Sequence, residues 1–139
     1  MVDNQIVTQK TKKILIIDDE SQFCEDLPFL LDGPYKIAIA TGSQEGMRLV
    51  QEIEPDLIIL DLVMPAHFAT DPENEGLEVL KKLKGGDYSK IPVIVLTKMV
   101  SAKKKAECLG FGAEEFLRKP PLIEELMGKI REMTESQYF

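Results

Sequence analysis

Four short apolar runs recur along the chain, and each is continuous rather than alternating with polar residues. They occupy residues 14–17, 37–40, 57–60 and 93–96. Continuous runs of this length are typical of strands that are buried on both faces, as in parallel sheets. This feature limits the fold more than any other, because such a sheet needs a layer of helices on each side.

Helical patterns follow the apolar runs. Apolar residues recur at spacings of three and four within residues 23–31, 47–53, 77–83, 101–109 and 122–133, and a fifth short strand is predicted at 116–118. Five rounds of strand and helix favour a parallel sheet with helices on both faces and right-handed crossovers. We therefore predict one α/β domain over residues 13–133, with a flexible N-terminal segment 1–12 and a C-terminal tail 134–139.

Charge and hydropathy exclude several classes of protein. The 139 residues include 17 Lys and Arg against 24 Asp and Glu, and the net charge of −7 argues against direct nucleic-acid binding. No apolar run approaches the ~20 residues that span a bilayer, so we expect no membrane association. The first residues, MVDNQIVTQKTKK, have no apolar core of the signal-peptide type, so we expect a cytoplasmic protein. Cys24 and Cys108 are too few for a disulfide scaffold, so we predict reduced thiols that fill small apolar spaces, with a redox role as the alternative.

Polar side chains follow four of the predicted strands. Asp18 and Asp19 come after the first strand, Asp61 after the third, Thr97 at the end of the fourth and Lys119 after the fifth. Ligands of open parallel sheets bind outside the carboxyl ends of the strands, which share one edge. Taken singly, these residues could be helix caps, a loop residue and a solvated charge. Taken together, they predict a functional site.

The same residues resemble the phosphoacceptor receiver domains of two-component response regulators. The resemblance covers residues 13–133 and rests on Asp18-Asp19 after KILII, on PDLIILDLVMP with Asp61, on Thr97 after VIVL, and on GAEEFLRKP ending at Lys119. It implies a doubly wound, flavodoxin-like sheet of order 2-1-3-4-5. It also implies transfer of a phosphoryl group from the phosphohistidine of a histidine kinase or phosphotransfer protein to Asp61 in phosphorelay signal transduction. A stand-alone protein similar to the chemotaxis regulator is expected, not an enzyme acting on other substrates.

The residue types suit that chemistry. Three carboxylates ~4 Å apart repel one another by ~4 kcal/mol per pair at an effective dielectric of 20, so they need a cation or a proton. Mg²⁺, or Mn²⁺, prefers such oxygen ligands. Asp19 and Asp61 are then direct ligands and Asp18 binds through water, while the resemblance adds the backbone carbonyl of Val63. Lys119 neutralises charge on the transferring group.

Two further residues are implied as a switch. Thr97 offers its hydroxyl to a phosphoryl oxygen, and Phe116 takes the place of the aromatic residue whose rotamer changes in this family; a static core Phe is the alternative. A downstream protein partner is expected at the face formed by the fourth helix, fifth strand and fifth helix. The resemblance also predicts a cis peptide bond between Lys119 and Pro120.

The sequence departs from the family at two places beside the site. The segment from Ala66 to Glu75 is longer than the usual connection and holds the only histidine, His67, and Lys98 replaces a small residue next to Thr97. We consider Lys98 and His67 as residues that control access. The alternatives are a mobile solvated loop and a lysine extended into solvent.

Charge is also segregated. Residues 81–105 contain eight lysines and one acid, Asp87, so this segment carries +7 and the remainder of the chain −14.

The alternative hypothesis for the function is a protein interaction module that is never phosphorylated. A phosphohydrolase acting through an aspartyl phosphate would need a second carboxylate two residues after Asp61, where Val63 stands.

Overall fold

Ten helices and strands alternate along the part of the chain that the structure describes. This structure is a computed structural model that describes residues 11–30 and 33–135, with the backbone alone for residues 21–24 and 30. The elements are β1 Lys12–Ile17, α1 Ser21–Leu30, β2 Tyr35–Ala40, α2 Ser43–Ile53, β3 Leu57–Leu60, α3 Glu75–Lys84, β4 Val93–Thr97, α4 Ala102–Gly110, β5 Glu115–Arg118 and α5 Ile123–Glu135. A 3₁₀ turn, Pro72–Asn74, precedes α3.

The five strands form one parallel sheet of order β2-β1-β3-β4-β5. This confirms the order that the family resemblance implied. The chain leaves β1 for one edge strand and then returns to build the other half of the sheet, so the strand order reverses between β1 and β3. The carboxyl ends of these two strands therefore flank the crevice in which ligands bind in doubly wound sheets.

The sheet separates two apolar cores. On one face, α2, α3 and α4 bury residues such as Val50, Leu80 and Cys108 against the sheet. On the other face, α1 and α5 bury Leu27 and Ile130. Residues of β1, β3 and β4 point alternately into the two cores, which explains why their sequences are continuously apolar.

The ends of the domain extend slightly past the predicted limits, since β1 begins at Lys12 and α5 continues to Glu135. The expected flexible segment 1–12 and tail 134–139 lie mostly outside the described residues, and so does the Cys24 side chain. Cys108 is a free thiol in the core, and burial raises its pKa to about 11. Among the described residues, no helix is long and apolar enough to cross a membrane.

Candidate functional site

The polar residues predicted at the strand ends do meet at one edge of the sheet. Backbone hydrogen bonds continue past the strands and fix their positions: Asp18 N donates to Ala40 O (2.9 Å), Asp61 N to Ile17 O (3.0 Å) and Lys119 N to Thr97 O (2.9 Å). The residues that follow β1, β3 and β5 are thus held by backbone hydrogen bonds to neighbouring strands. Asp18, Asp61, Thr97 and Lys119 are buried, whereas Asp19 is exposed.

Three carboxylates converge at this edge. Asp18, Asp19 and Asp61 each offer one oxygen, and these oxygens lie within 4.8 Å of one another. Burial raises the pKa of Asp18, and the charge of Asp61 acts in the same direction, although hydrogen bonds from Lys119 and the Glu20 amide oppose them. An all-oxygen donor set of this kind suits a hard divalent cation, so the residues present fit Mg²⁺ or Mn²⁺.

Lys119 is the buried cation of the site. Its Nζ lies 2.5 Å from an Asp18 oxygen, 2.9 Å from an Asp61 oxygen and 3.0 Å from a Glu20 oxygen. Burial lowers the pKa of this ammonium, but the hydrogen bonds to Asp18 and Asp61 outweigh burial, and the pKa is raised. The ammonium is therefore charged at neutral pH and partly neutralises the cluster. The Lys119–Pro120 peptide bond is cis, as expected.

A pocket opens between these residues and solvent. It is lined by Asp19, Glu20, Asp61, Val63, Thr97 and Lys98. The Thr97 hydroxyl accepts a hydrogen bond from the Met99 amide (3.1 Å), which leaves its proton available to a ligand. Phe116 lies outside this lining and is buried in the core against α2, α3 and α4. His67 is likewise not among the lining residues.

Glu20 is a site residue that the sequence pattern does not predict. Its carboxylate accepts from Lys119 Nζ (3.0 Å) on one oxygen and from Lys98 Nζ (2.7 Å) on the other. The bond from Lys98, followed by that from Lys119, lowers the pKa of Glu20. The available signal was its position, because Glu20 is a third consecutive acid at the carboxyl end of β1.

The long segment before α3 is anchored by Glu75, a residue that the sequence pattern does not single out either. Glu75 is completely buried, and its carboxylate accepts hydrogen bonds from the amides of His67, Phe68 and Ala69 at 2.8–3.0 Å and from the Ser43 hydroxyl. Burial opposes ionisation, but these donors lower the pKa of Glu75 to about 2. The segment is therefore tied to α2 and α3 by a fixed negative charge.

Gly76 brings α3 against the backbone of the site. A Cβ built on Gly76 would lie 2.2 Å from the Asp61 carbonyl oxygen and 2.4 Å from the Leu62 Cα. The Gly76 amide also donates to the Leu62 carbonyl at 2.9 Å. Any larger residue would displace the backbone that carries Asp61, so this contact requires glycine.

Comparison with known proteins assigns the chain to a family. The model of the response regulator receiver domain matches residues 14–131. This chain belongs to the response regulator receiver domain family. Membership agrees with the sheet order and with two-component signalling as the broad function of the domain.

Individual relatives agree with that assignment. The response regulator MprA of Mycolicibacterium vanbaalenii is 32% identical over 121 residues, which are 86% of this chain and 48% of the relative. The chain thus spans about half the length of the curated relatives it matches. A response regulator receiver domain protein of Clostridium thermocellum superposes with a TM-score of 0.78 and 30% identity, covering 91% of this chain and 97% of that one. A CheY-like receiver domain protein of Methanospirillum hungatei gives a TM-score of 0.79 at 25% identity, covering 93% and 98%.

Proposed function

We propose that Asp61 accepts a phosphoryl group from the phosphohistidine of a histidine kinase or phosphotransfer protein in the cytoplasm. The observation that carries this proposal is the convergence of Asp61 with two further carboxylates and the buried Lys119 ammonium, beside an open pocket that Asp19 and Asp61 line. A cluster with excess negative charge and one fixed cation is suited to binding a further cation together with an anionic group.

Each residue has a role in the transfer. A carboxylate oxygen of Asp61 attacks phosphorus and forms a P–O bond as the P–N bond to the imidazole breaks, and the imidazole leaves with that electron pair. Lys119 Nζ, 2.9 Å from Asp61 Oδ2, neutralises charge on the transferring group. The buried Thr97 hydroxyl donates to a phosphoryl oxygen. No general base is needed when the nucleophile is a carboxylate oxygen.

Asp18, Asp19, Asp61 and the Val63 carbonyl would hold Mg²⁺ or Mn²⁺. When bound, the ion supplies positive charge against the phosphoryl oxygens and the carboxylates. The domain promotes only its own phosphorylation and dephosphorylation, so it acts as a switch within the unit 13–133 and not as an enzyme with external substrates.

The output is a changed surface. We place the downstream partner at the face of α4, β5 and α5, where Leu109 is 41% exposed and Leu122, just before α5, is 75% exposed. Phosphorylation would bias the arrangement of Thr97 and Phe116 and so alter this face. Some of the positive charge of residues 81–105 is already paired within the domain, because Lys84 forms an ion pair with Glu114 and Lys104 with Glu107.

The test is mass spectrometry of the intact protein after incubation with acetyl phosphate and Mg²⁺. We expect one added phosphoryl group, lost in Asp61→Asn and in EDTA. Asp56→Asn is the matched control, because Asp56 precedes the same strand at the opposite edge of the sheet and should keep the label. Undiminished labelling of Asp61→Asn would contradict the assignment. Absence of any label on the wild type would favour an interaction module that is never phosphorylated.

A further inference from the structure

An ion pair spans the mouth of the pocket. Lys98 Nζ donates to Glu20 Oε2 at 2.7 Å, although the two residues are 78 positions apart in the sequence. Glu20 follows β1 and Lys98 follows β4, so the pair joins loops on either side of Asp61, which follows β3. Glu20 and Lys98 both line the pocket that contains Asp61.

This pair is weak enough to be exchanged. The Lys98 side chain is 70% exposed and that of Glu20 is 37% exposed, and ion pairs in such positions contribute little to stability. A phosphoryl group on Asp61 carries about −1.5 to −2 charges in place of the single charge of the carboxylate, and it brings three strong acceptor oxygens to the same pocket. It is therefore a stronger acceptor for an ammonium than one carboxylate.

We propose that Glu20 is a positioning residue that holds the Lys98 ammonium at the pocket mouth and competes for it with the phosphoryl group on Asp61. This inference rests on the proposed function, since it requires phosphorylation of Asp61. In the unphosphorylated protein Lys98 pairs with Glu20. In the phosphorylated protein Lys98 is shared between Glu20 and a phosphoryl oxygen.

The competition sets the lifetime of the acyl phosphate. In hydrolysis, a water oxygen attacks phosphorus in line with the P–O bond to Asp61. That bond breaks, the Asp61 carboxylate leaves with the electron pair, and the water proton passes to solvent as inorganic phosphate departs. A Lys98 side chain bound to the phosphoryl group obstructs this approach. Lys98 therefore lengthens the lifetime, and Glu20 shortens it by drawing Lys98 away.

A double-mutant cycle on dephosphorylation tests this scheme. Wild type, Glu20→Gln, Lys98→Gln and the double variant are phosphorylated with acetyl phosphate and Mg²⁺, freed of donor, and followed by intact mass. We expect Glu20→Gln to slow loss of phosphate about threefold and Lys98→Gln to speed it about tenfold, which are barrier changes of ~0.7 and ~1.4 kcal/mol. The double variant should match Lys98→Gln, because Glu20 acts through Lys98.

Two controls accompany the cycle. Glu52→Gln removes the acid of an exposed ion pair with Arg48 on α2 and should leave the rate unchanged. Lys98→Arg keeps a cation at the mouth and should retain most of the wild-type lifetime. If net charge alone set the rate, Glu52→Gln and Glu20→Gln would slow the loss of phosphate equally, and that result would overturn the proposal.

A second readout needs neither metal nor phosphate. In ¹H–¹⁵N spectra of the lysine ammonium groups, an ion-paired Lys98 should give a resonance that is lost in Lys98→Gln and broadened by exchange in Glu20→Gln. An unchanged resonance in Glu20→Gln, equal lifetimes in wild type and Glu20→Gln, or a Glu20→Gln effect that persists without Lys98 would each overturn the inference. Failure to label wild-type Asp61 is a separate result, which overturns the proposed function and this inference with it.

Discussion

Two buried carboxyl groups, Asp18 and Glu75, have pKa values that are shifted in opposite directions. Glu75 is surrounded by neutral donors, namely three consecutive amides and the Ser43 hydroxyl, and its pKa is lowered to about 2. Asp18 faces the carboxylate of Asp61 and shares the Lys119 ammonium with it, and its pKa is raised, chiefly by burial.

The two carboxylates differ in what compensates their charge. Every donor around Glu75 is supplied by the protein, so this carboxylate has no need of an external ion. The strand-end cluster has three carboxylates against one buried lysine, so it keeps an excess of negative charge that a bound cation or a proton would offset. The burial of a carboxylate alone therefore does not predict a functional site, whereas uncompensated charge favours the binding of an external ion.

The largest expected effect is that of removing the Glu75 carboxylate. Glu75→Ala leaves three amides and a hydroxyl without their acceptor, and we expect the free energy of unfolding to fall by about 3 kcal/mol. Urea denaturation measures this change. Glu73→Ala, in the same segment but exposed, is the control and should change stability by less than ~0.5 kcal/mol. A loss for Glu75→Ala that is no greater than for Glu73→Ala would show that the anchor is unimportant.

The second effect is the dependence of the Glu75 contribution on pH. Its pKa is about 2 in the folded protein against an ordinary value of 4.5. A lowered folded pKa means that the stabilisation is fully present above pH 4.5 and is lost as the pH falls towards 2, by about 3 kcal/mol in total. The gap in unfolding free energy between wild type and Glu75→Gln should therefore narrow by more than half from pH 6 to pH 3. A constant gap would mean that the pKa of Glu75 is the same in the folded and unfolded protein.

The smallest effect concerns the strand-end cluster without metal. Asp19→Asn removes one of three mutually repelling carboxylates but no partner of Lys119, so we expect a small rise in thermal stability in EDTA. We also expect Mg²⁺ to raise the melting temperature of the wild type, because a ligand that binds the folded state alone stabilises it, and we expect Asp19→Asn to lose that rise. Glu75→Gln should keep that response to Mg²⁺. Destabilisation of metal-free Asp19→Asn would show that the cluster is not under repulsion.

The strands and their polar ends were the predictable part of this protein. The apolar runs placed β3 at its observed bounds and the other strands within a few residues, because continuous burial leaves a local signal in the sequence. The meeting of Asp18, Asp61 and Lys119 followed from the same pattern, since parallel strands share one carboxyl edge. The order of the strands required the family resemblance, because periodicity carries no information on which strands are neighbours.

The partners of Glu20 and Glu75 could not be predicted in the same way. Both look in the sequence like ordinary acids near a helix start, and their roles depend on residues far along the chain. Glu20 meets Lys98 across 78 positions, and Glu75 meets Ser43 across 32. Nothing in the local pattern distinguishes Glu75, which is fully buried, from the exposed Glu73 two residues earlier.

The sequence by itself determined the alternation of strands and helices and the set of polar residues at the strand ends, because these depend on short-range hydrophobic periodicity and chain direction. The tertiary structure alone decided which charges are compensated and by what. In the folded protein, backbone amides donate hydrogen bonds to Glu75, and Lys119 forms ion pairs with three acids. Lys98 pairs with Glu20 at the mouth of the pocket. Compensation of charge depends on distances of a few ångströms between distant parts of the chain, and only the packed fold sets those distances.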